Sequence, residues 1–160
     1  MLMTYELDFS TQYGQFYLVD KGSKNHTEVK DFWSDQAFSD RLGETGSMLG
    51  ILIENDLTTV KGRLEILDGP PSELEPEAEH IVETSLVLDS GILELQDCPS
   101  SRILVEVPLE KGTYRIRISS YHISEPYATK SDEVNDRYLL QVWKEHQASE
   151  KRVLRQFDRF

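Results

Sequence analysis

Ser119, Ser120 and His122 come nearest, by residue type and spacing, to a nucleophile with its general base. Such a pair works only where the serine oxygen and an imidazole nitrogen reach hydrogen-bond distance. In the alternating stretch EKGTYRIRISSYH, residues 110–122, a strand would put Ser120 and His122 on the face that carries Ile118. That placement predicts a hydrogen-bonded structural histidine rather than a base. The other histidines, His26, His80 and His146, lie far apart, and no pair has the H-x-x-x-H spacing that gathers ligands round zinc. Cys98 is the single cysteine, which rules out a C-x-x-C site and any intramolecular disulfide. No G-x-S-x-G elbow, Walker loop or dinucleotide fingerprint occurs, and GETGSMLG has no lysine to hold a phosphate. Carboxylates are so plentiful that no one pair stands out for acid–base work. The expectation is a protein that is not an enzyme, with no catalytic residues, no metal and no cofactor.

The charge is unevenly spread. Twenty-nine acids against seventeen Lys and Arg give a net charge of −12. Between Asp68 and Glu83 stand six acids, Asp68, Glu73, Glu75, Glu77, Glu79 and Glu83, and no Lys or Arg. Residues 144–160 hold Lys144, Lys151, Arg152, Arg155 and Arg159 against Glu145, Glu150 and Asp158, a balance of +2 that leaves −14 on residues 1–143. A body so negative repels nucleic acid and anionic membranes and attracts a basic protein. Direct nucleic-acid and membrane partners are therefore not expected. The N-terminus MLMTYELDF lacks a basic leader region, and MLGILI falls far short of the ~20 apolar residues of a membrane span, so the expected location is the cytoplasm.

The elements that must position these groups are strands. Two-residue alternation recurs in YELDF, YGQFYLV, MLGILIE, TTVKGRLEIL, VETSLVLD, GILELQD, RILVEVPL, the 110–122 stretch and RYLLQVWK. About nine short strands of this kind predict a mainly β chain, folded as an antiparallel two-sheet β-sandwich. At 160 residues such a fold can bury roughly 70% of the unfolded chain's surface. Hairpin turns are expected at Glu54–Leu57, at Ser90-Gly91 and at Lys111-Gly112. WSDQAFSDRLG predicts one short internal helix, with Ser34 as its N-cap and Gly43 at its C-cap. HQASEKRVLRQFDRF sets Val153, Leu154 and Phe157 on one helical face, so a C-terminal helix is expected as well. The organisation read from this is a single β-sandwich domain over 1–144 and a basic helical tail over 145–160. The loops 68–81 and 123–135, rich in Pro, acids and small polar residues, read as exposed and mobile. Arg115 and Arg117 read as the solvent side of their strand, neutralised by neighbouring acids, and Tyr13, Phe16, Trp33 and Trp143 read as packing residues.

The order YGQFYLVD, DFWSDQAF, a strand pair, LVLDSGILELQDCPSSRILVEVPLEKGTYRIRIS and DRYLLQVWK resembles the competence protein J family over most of residues 5–144. The likeness rests on Tyr13 and Phe16 of an early strand, Trp33 before the short helix, the Lys111-Gly112-x-Tyr114 turn, and Tyr138 and Trp143 of the closing strand. These are turn and packing residues, so the likeness speaks for fold more than for partner. The resemblance implies a bacterial inhibitor of a DNA-entry nuclease, whereas the acidic Pro-rich segment 68–81 and the basic tail look like additions to the family pattern. On this reading the chain is a non-enzymatic acidic protein-binding domain, an inhibitor or immunity-type partner of a basic nuclease or toxin. Glu73, Glu75, Glu77, Glu79 and Glu83 would stand where phosphates sit in the partner, with Tyr121 and Tyr127 as anchors. A small-ligand or carbohydrate-binding sandwich is the alternative and needs an aromatic row, for which Tyr121, Tyr127 and Trp143 are the available residues. A hydrolase working through carboxylates and a divalent ion is the third reading, marked by calcium-dependent stabilisation.

Overall fold

The computed structural model describes residues 2–23, 31–56, 58–127 and 133–158. Each alternating segment forms a strand. In chain order these are β1 Met3–Ser10, β2 Gln15–Asp20, β3 Leu42–Glu44, β4 Met48–Leu52, β5 Thr59–Ile66, β6 His80–Leu88, β7 Ile92–Gln96, β8 Ile103–Pro108, β9 Gly112–Tyr121, β10 Arg137–Glu145 and β11 Arg152–Arg155, with helix α1 over Asp35–Asp40. A six-stranded sheet runs β1-β5-β10-β9-β6-β11 and a five-stranded sheet runs β3-β4-β2-β7-β8. One apolar cluster unites them: Leu7, Leu64, Val82, Ile116 and Leu140 of the first sheet meet Phe16, Leu42, Ile51, Leu95 and Val107 of the second.

The nine expected strands are present, and β3 and β11 bring the total among the described residues to eleven. The pairing departs from expectation in two ways. First, β10 runs parallel to β5, Tyr138 opposite Gly62 and Leu140 opposite Leu64, so the larger sheet is mixed. Seventy residues separate these two strands, and a connection that long leaves their direction free. The fit there is close, since a Cβ at Gly62 would lie 1.9 Å from the carbonyl oxygen of Tyr138. Second, none of the three expected hairpins forms. β4 and β5, β6 and β7, and β8 and β9 lie in different sheets, so each of those turns carries the chain across the core. The turn chemistry itself holds: Gly91 takes φ +74°, and the buried Asp20 carboxylate accepts from the Asp89 and Ser90 N–H groups, each at 3.1 Å.

Ser34 caps α1 as expected, its Oγ accepting from Ala37 N at 3.1 Å. The helix ends at Arg41, in the left-handed region at φ 60°, and not at Gly43, which belongs to β3. Phe32 packs over Gly43 and Gly50, where a Cβ at either glycine would come within 2.8 Å of its ring.

The C-terminal segment corrects the expected helix. Residues 152–155 add to the edge of β6, Arg152 opposite Glu83 and Val153 opposite Val82, with a register shift before Arg155. A helix so short gains little on its own, whereas β6 offers a row of backbone groups and the tail's cations find carbonyls. Arg155 Nη1 donates to Glu75 O at 2.7 Å and Ala78 O at 2.8 Å, and Lys151 Nζ donates to Leu42 O at 2.8 Å. The tail also overturns the solvent-side reading of the arginine row. Arg115 is 4% exposed and Arg117 9%: Arg115 donates to Ser149 O at 3.1 Å and to Glu150 O at 2.8 Å, and Arg117 lies between Glu83 and the Trp143 ring.

Candidate functional site

The acidic segment between β5 and β6 is pinned at several points. Pro70, Pro71 and Pro76 limit its backbone, and Ala78 is buried. Tyr121, the last residue of β9, donates its hydroxyl to Glu75 Oε1 at 2.6 Å. Burial, and after it the Glu75 carboxylate, push that phenol well above the usual tyrosine range, with a smaller contribution from Glu77. Glu79 N donates to Ser120 O at 2.8 Å, and its Oε1 accepts from Ser124 N at 3.1 Å. With the two carbonyls held by Arg155, residues 75, 78 and 79 are fixed. Glu73 and Glu77 are exposed, and no hydrogen bond or ion pair engages their carboxylates among the described residues. The expected mobility of the loop thus gives way to an anchored turn that directs these two carboxylates outward. Of the second loop, residues 128–132 lie outside the described residues.

Glu83 is different in kind. It is 6% exposed, and its two oxygens accept from Arg115 Nε at 3.2 Å and Arg117 Nε at 2.8 Å. The Arg117 guanidinium in turn lies 5.4 Å from the ring centroid of Trp143, itself buried. A carboxylate so engaged is not displayed to a partner, which removes Glu83 from the expected surface row. The burial of Trp143 likewise takes it out of any carbohydrate-binding aromatic row.

Tyr127 is exposed, bonded through its hydroxyl to the Asp56 carboxylate and accepting from Asp56 N at 2.9 Å. The bond to the Asp56 carboxylate raises this phenol as well. Asp136, which is fully buried, holds the base of that contact. It accepts from Asn55 Nδ2 at 2.8 Å and from the Tyr138 hydroxyl at 2.6 Å, and it reaches Glu54 N at 3.2 Å. Arg137, the next residue, pairs in register with Tyr121. Tyr121 stands at this end of the six-stranded sheet and lines an open groove of about 720 Å³, to which Tyr127 does not contribute. Glu6, Asp8, Lys61, Arg63, Glu75 and Tyr121 line it.

The serine–histidine pair does not assemble. Ser120 is buried, while His122 lies past the end of β9, exposed, in the left-handed region at φ 57°. The structural histidine is His80, fully buried: Nε2 lies 2.7 Å from Asp40 O, and Nδ1 accepts from Phe157 N at 3.1 Å. No group of three His, Cys, Asp or Glu able to hold a metal occurs among the described residues. No helix among them is long and apolar enough to cross a membrane. Sequence reasoning missed the exposure of Tyr13, which is 76% accessible, and of Phe38, stacked on Trp33 at 5.3 Å.

No protein-family model matches the chain, and no curated protein matches it. Two solved structures do. ComJ from Bacillus subtilis, described as an inhibitor of the DNA degrading activity of NucA, superposes with a TM-score of 0.68 at 18% identity, over 91% of this chain and 99% of ComJ. A protein described as crocagin biosynthetic gene J superposes with a TM-score of 0.60 at 17% identity, over 90% of this chain and 98% of its own. The chain has a ComJ-like fold.

Proposed function

We propose that this chain is a non-enzymatic acidic protein-binding domain that inhibits a basic nuclease or toxin of a bacterial cytoplasm. The observation that carries the reading is the ComJ-like fold over 91% of the chain, joined to an anchored acidic turn with two free carboxylates. In this proposal the two sheets, sharing one core, form a sandwich over residues 1–144, and the tail 145–160 braces it. Glu73 and Glu77 meet cations in the partner's phosphate-binding groove. Glu75 and Glu79 keep the turn in shape, and Tyr121 and Tyr127 flank it as anchors. Glu83 supports the sheet behind them. A loop already held in place loses little freedom on binding, which leaves more of the interaction for affinity. Complementary charge speeds the encounter and selects the partner.

The test is capture from the native host's lysate at low salt and again at about 0.5 M, where exposed charges are screened. A basic nuclease or toxin retained at low salt, and lost both at high salt and with Glu73→Gln/Glu77→Gln, is the expected result. Undiminished affinity in that variant would dismiss the acidic turn as the contact.

A further inference from the structure

Each sheet has two edges, and an unpaired edge is a template on which another chain can add a strand. Three of the four edges here are blunted. β3 has three residues, and β11 has four with a register shift. β8 ends in Pro108 and carries an irregularity opposite Leu95 and Gln96. Among the described residues β1 is the exception. Its eight residues pair with β5 without a break from Met3 opposite Ile66 to Ser10 opposite Thr59, and it contains no proline and no lysine.

The register says which of its groups face outward. Thr11 N donates to Thr58 O at 2.8 Å, in step with the ladder. In an antiparallel pair alternate residues exchange bonds, so the odd residues of β1 bond to β5 and the N–H and C=O groups of Glu6 and Asp8 point to the open edge. The side chains of Glu6 and Asp8 line the groove face. On the opposite face Met3, Tyr5 and Phe9 pack against the core but remain half-buried at its rim. Among the described residues Glu6 is held only by Arg63, at 3.1 Å, in an exposed pair that exchanges readily for another cation. A second copy added antiparallel through its own β1 would set Glu6 and Asp8 against the same acids, an unfavourable cross-strand arrangement.

We infer that the β1 edge takes up an extended segment of a basic protein by strand addition. The incoming strand alternates Lys or Arg, facing Glu6 and Asp8, with apolar residues that complete the rim beside Met3, Tyr5 and Phe9. The inference shares with the proposed function only the sign of the partner's charge, and the acidic turn plays no part in it.

The probe is a labelled decapeptide alternating lysine and valine, tested against the full chain at low salt, with an alternating glutamate–valine decapeptide as control. Binding of the lysine peptide should slow hydrogen exchange at the Glu6 and Asp8 amides by about tenfold or more. Asp8→Asn should weaken binding by up to about tenfold, and Asp8→Pro, which removes an outward N–H without touching the β5 ladder, should abolish it. Should Asp8→Pro fail to fold, a lysine peptide N-methylated at every second residue makes the same test on the unaltered protein, and it should not bind. Glu73→Gln/Glu77→Gln should bind the lysine peptide as the parent does, which separates this edge from the acidic turn. The inference is overturned by no binding, by binding without protection of Glu6 and Asp8, by equal binding of the N-methylated peptide, or by loss of binding in the turn variant.

Discussion

Replacing Glu83 with glutamine should destabilise the fold by about 3–5 kcal/mol, the range for breaking a buried ion pair from one side. The geometry puts this site in that range. Glu83, Arg115 and Arg117 are 6%, 4% and 9% exposed, so water does little to screen them. Each carboxylate oxygen serves one guanidinium, at 3.2 and 2.8 Å. Glutamine keeps one acceptor and turns an NH2 group toward the other arginine, so one contact becomes repulsive while both cations stay buried. In a chain of 160 residues each kcal/mol moves Tm by about 2–4 °C, which predicts a fall of about 10 °C. Urea unfolding followed by tryptophan fluorescence suits the question, because Trp143 lies against Arg117. The double variant Glu83→Met/Arg117→Met should recover most of the loss, since Arg115 keeps the carbonyls of Ser149 and Glu150. A Glu83→Gln protein within about 0.5 kcal/mol of the parent would refute the reasoning, placing the triad among ordinary surface pairs.

Two further outcomes follow from buried polar groups. Tyr138→Phe removes the hydroxyl that donates to Asp136 at 2.6 Å and accepts from Glu54 N at 2.7 Å, and should lower stability by about 1–3 kcal/mol in the same urea assay. A change below about 0.5 kcal/mol would mean that water replaces the hydroxyl. His80 is held below its ordinary value of 6.5, chiefly by burial and next by the positive charge of Arg41, against the opposing pull of the Asp40 carbonyl and carboxylate. A lowered histidine favours the neutral ring in the fold, so its contribution is complete above pH 6.5 and is lost as pH falls from there through the lower folded value. Nuclear magnetic resonance should find the ring titrating below 6.5, with the Phe157 amide moving at the same midpoint, because that N–H donates to Nδ1. A midpoint at or above 6.5 would contradict the buried neutral ring.

Alternation made the nine longer strands legible, since Tyr5, Leu7 and Phe9 or Tyr114, Ile116 and Ile118 declare an inner face whatever they pair with. Pairing was not legible, because a turn's residues report its backbone and not its neighbours. Ser90-Gly91 has the residues of a hairpin, yet the group that satisfies it is Asp20, distant in sequence, and the strands it joins lie in different sheets. The arginine row misled for the same reason: Arg115 and Arg117 alternate as a solvent face would, and it takes the chain at 149–150 over Arg115, and Glu83 and Trp143 beside Arg117, to bury them. β11 gave a helical pattern because Val153, Leu154 and Phe157 suit a helix as well as a strand, and the open edge of β6 decided between them. At the candidate site the acidic run was plain in the sequence. Which carboxylates are already engaged was not, because their partners Tyr121, Ser124, Arg115 and Arg117 arrive at least thirty residues later.

The basic tail and the acidic turn read in sequence as two surfaces of opposite sign, but the contacts make one the support of the other. Lys144 is bonded to Glu110 at 2.6 Å, Lys151 faces Asp40 at 3.4 Å as well as Leu42 O, and Arg152 stands opposite Glu83 in register. Arg155 turns to the backbone carbonyls of Glu75 and Ala78 and leaves the carboxylates of the turn alone. A cation placed on a carboxylate would have cancelled the charge of the turn. Placed on its carbonyls, it fixes the shape and leaves Glu73 and Glu77 charged and outward. Lys151 and Arg155 thus direct their charge at backbone carbonyls while Lys144 and Arg152 stay exposed, and Glu73 and Glu77 keep the charge that would meet a basic partner.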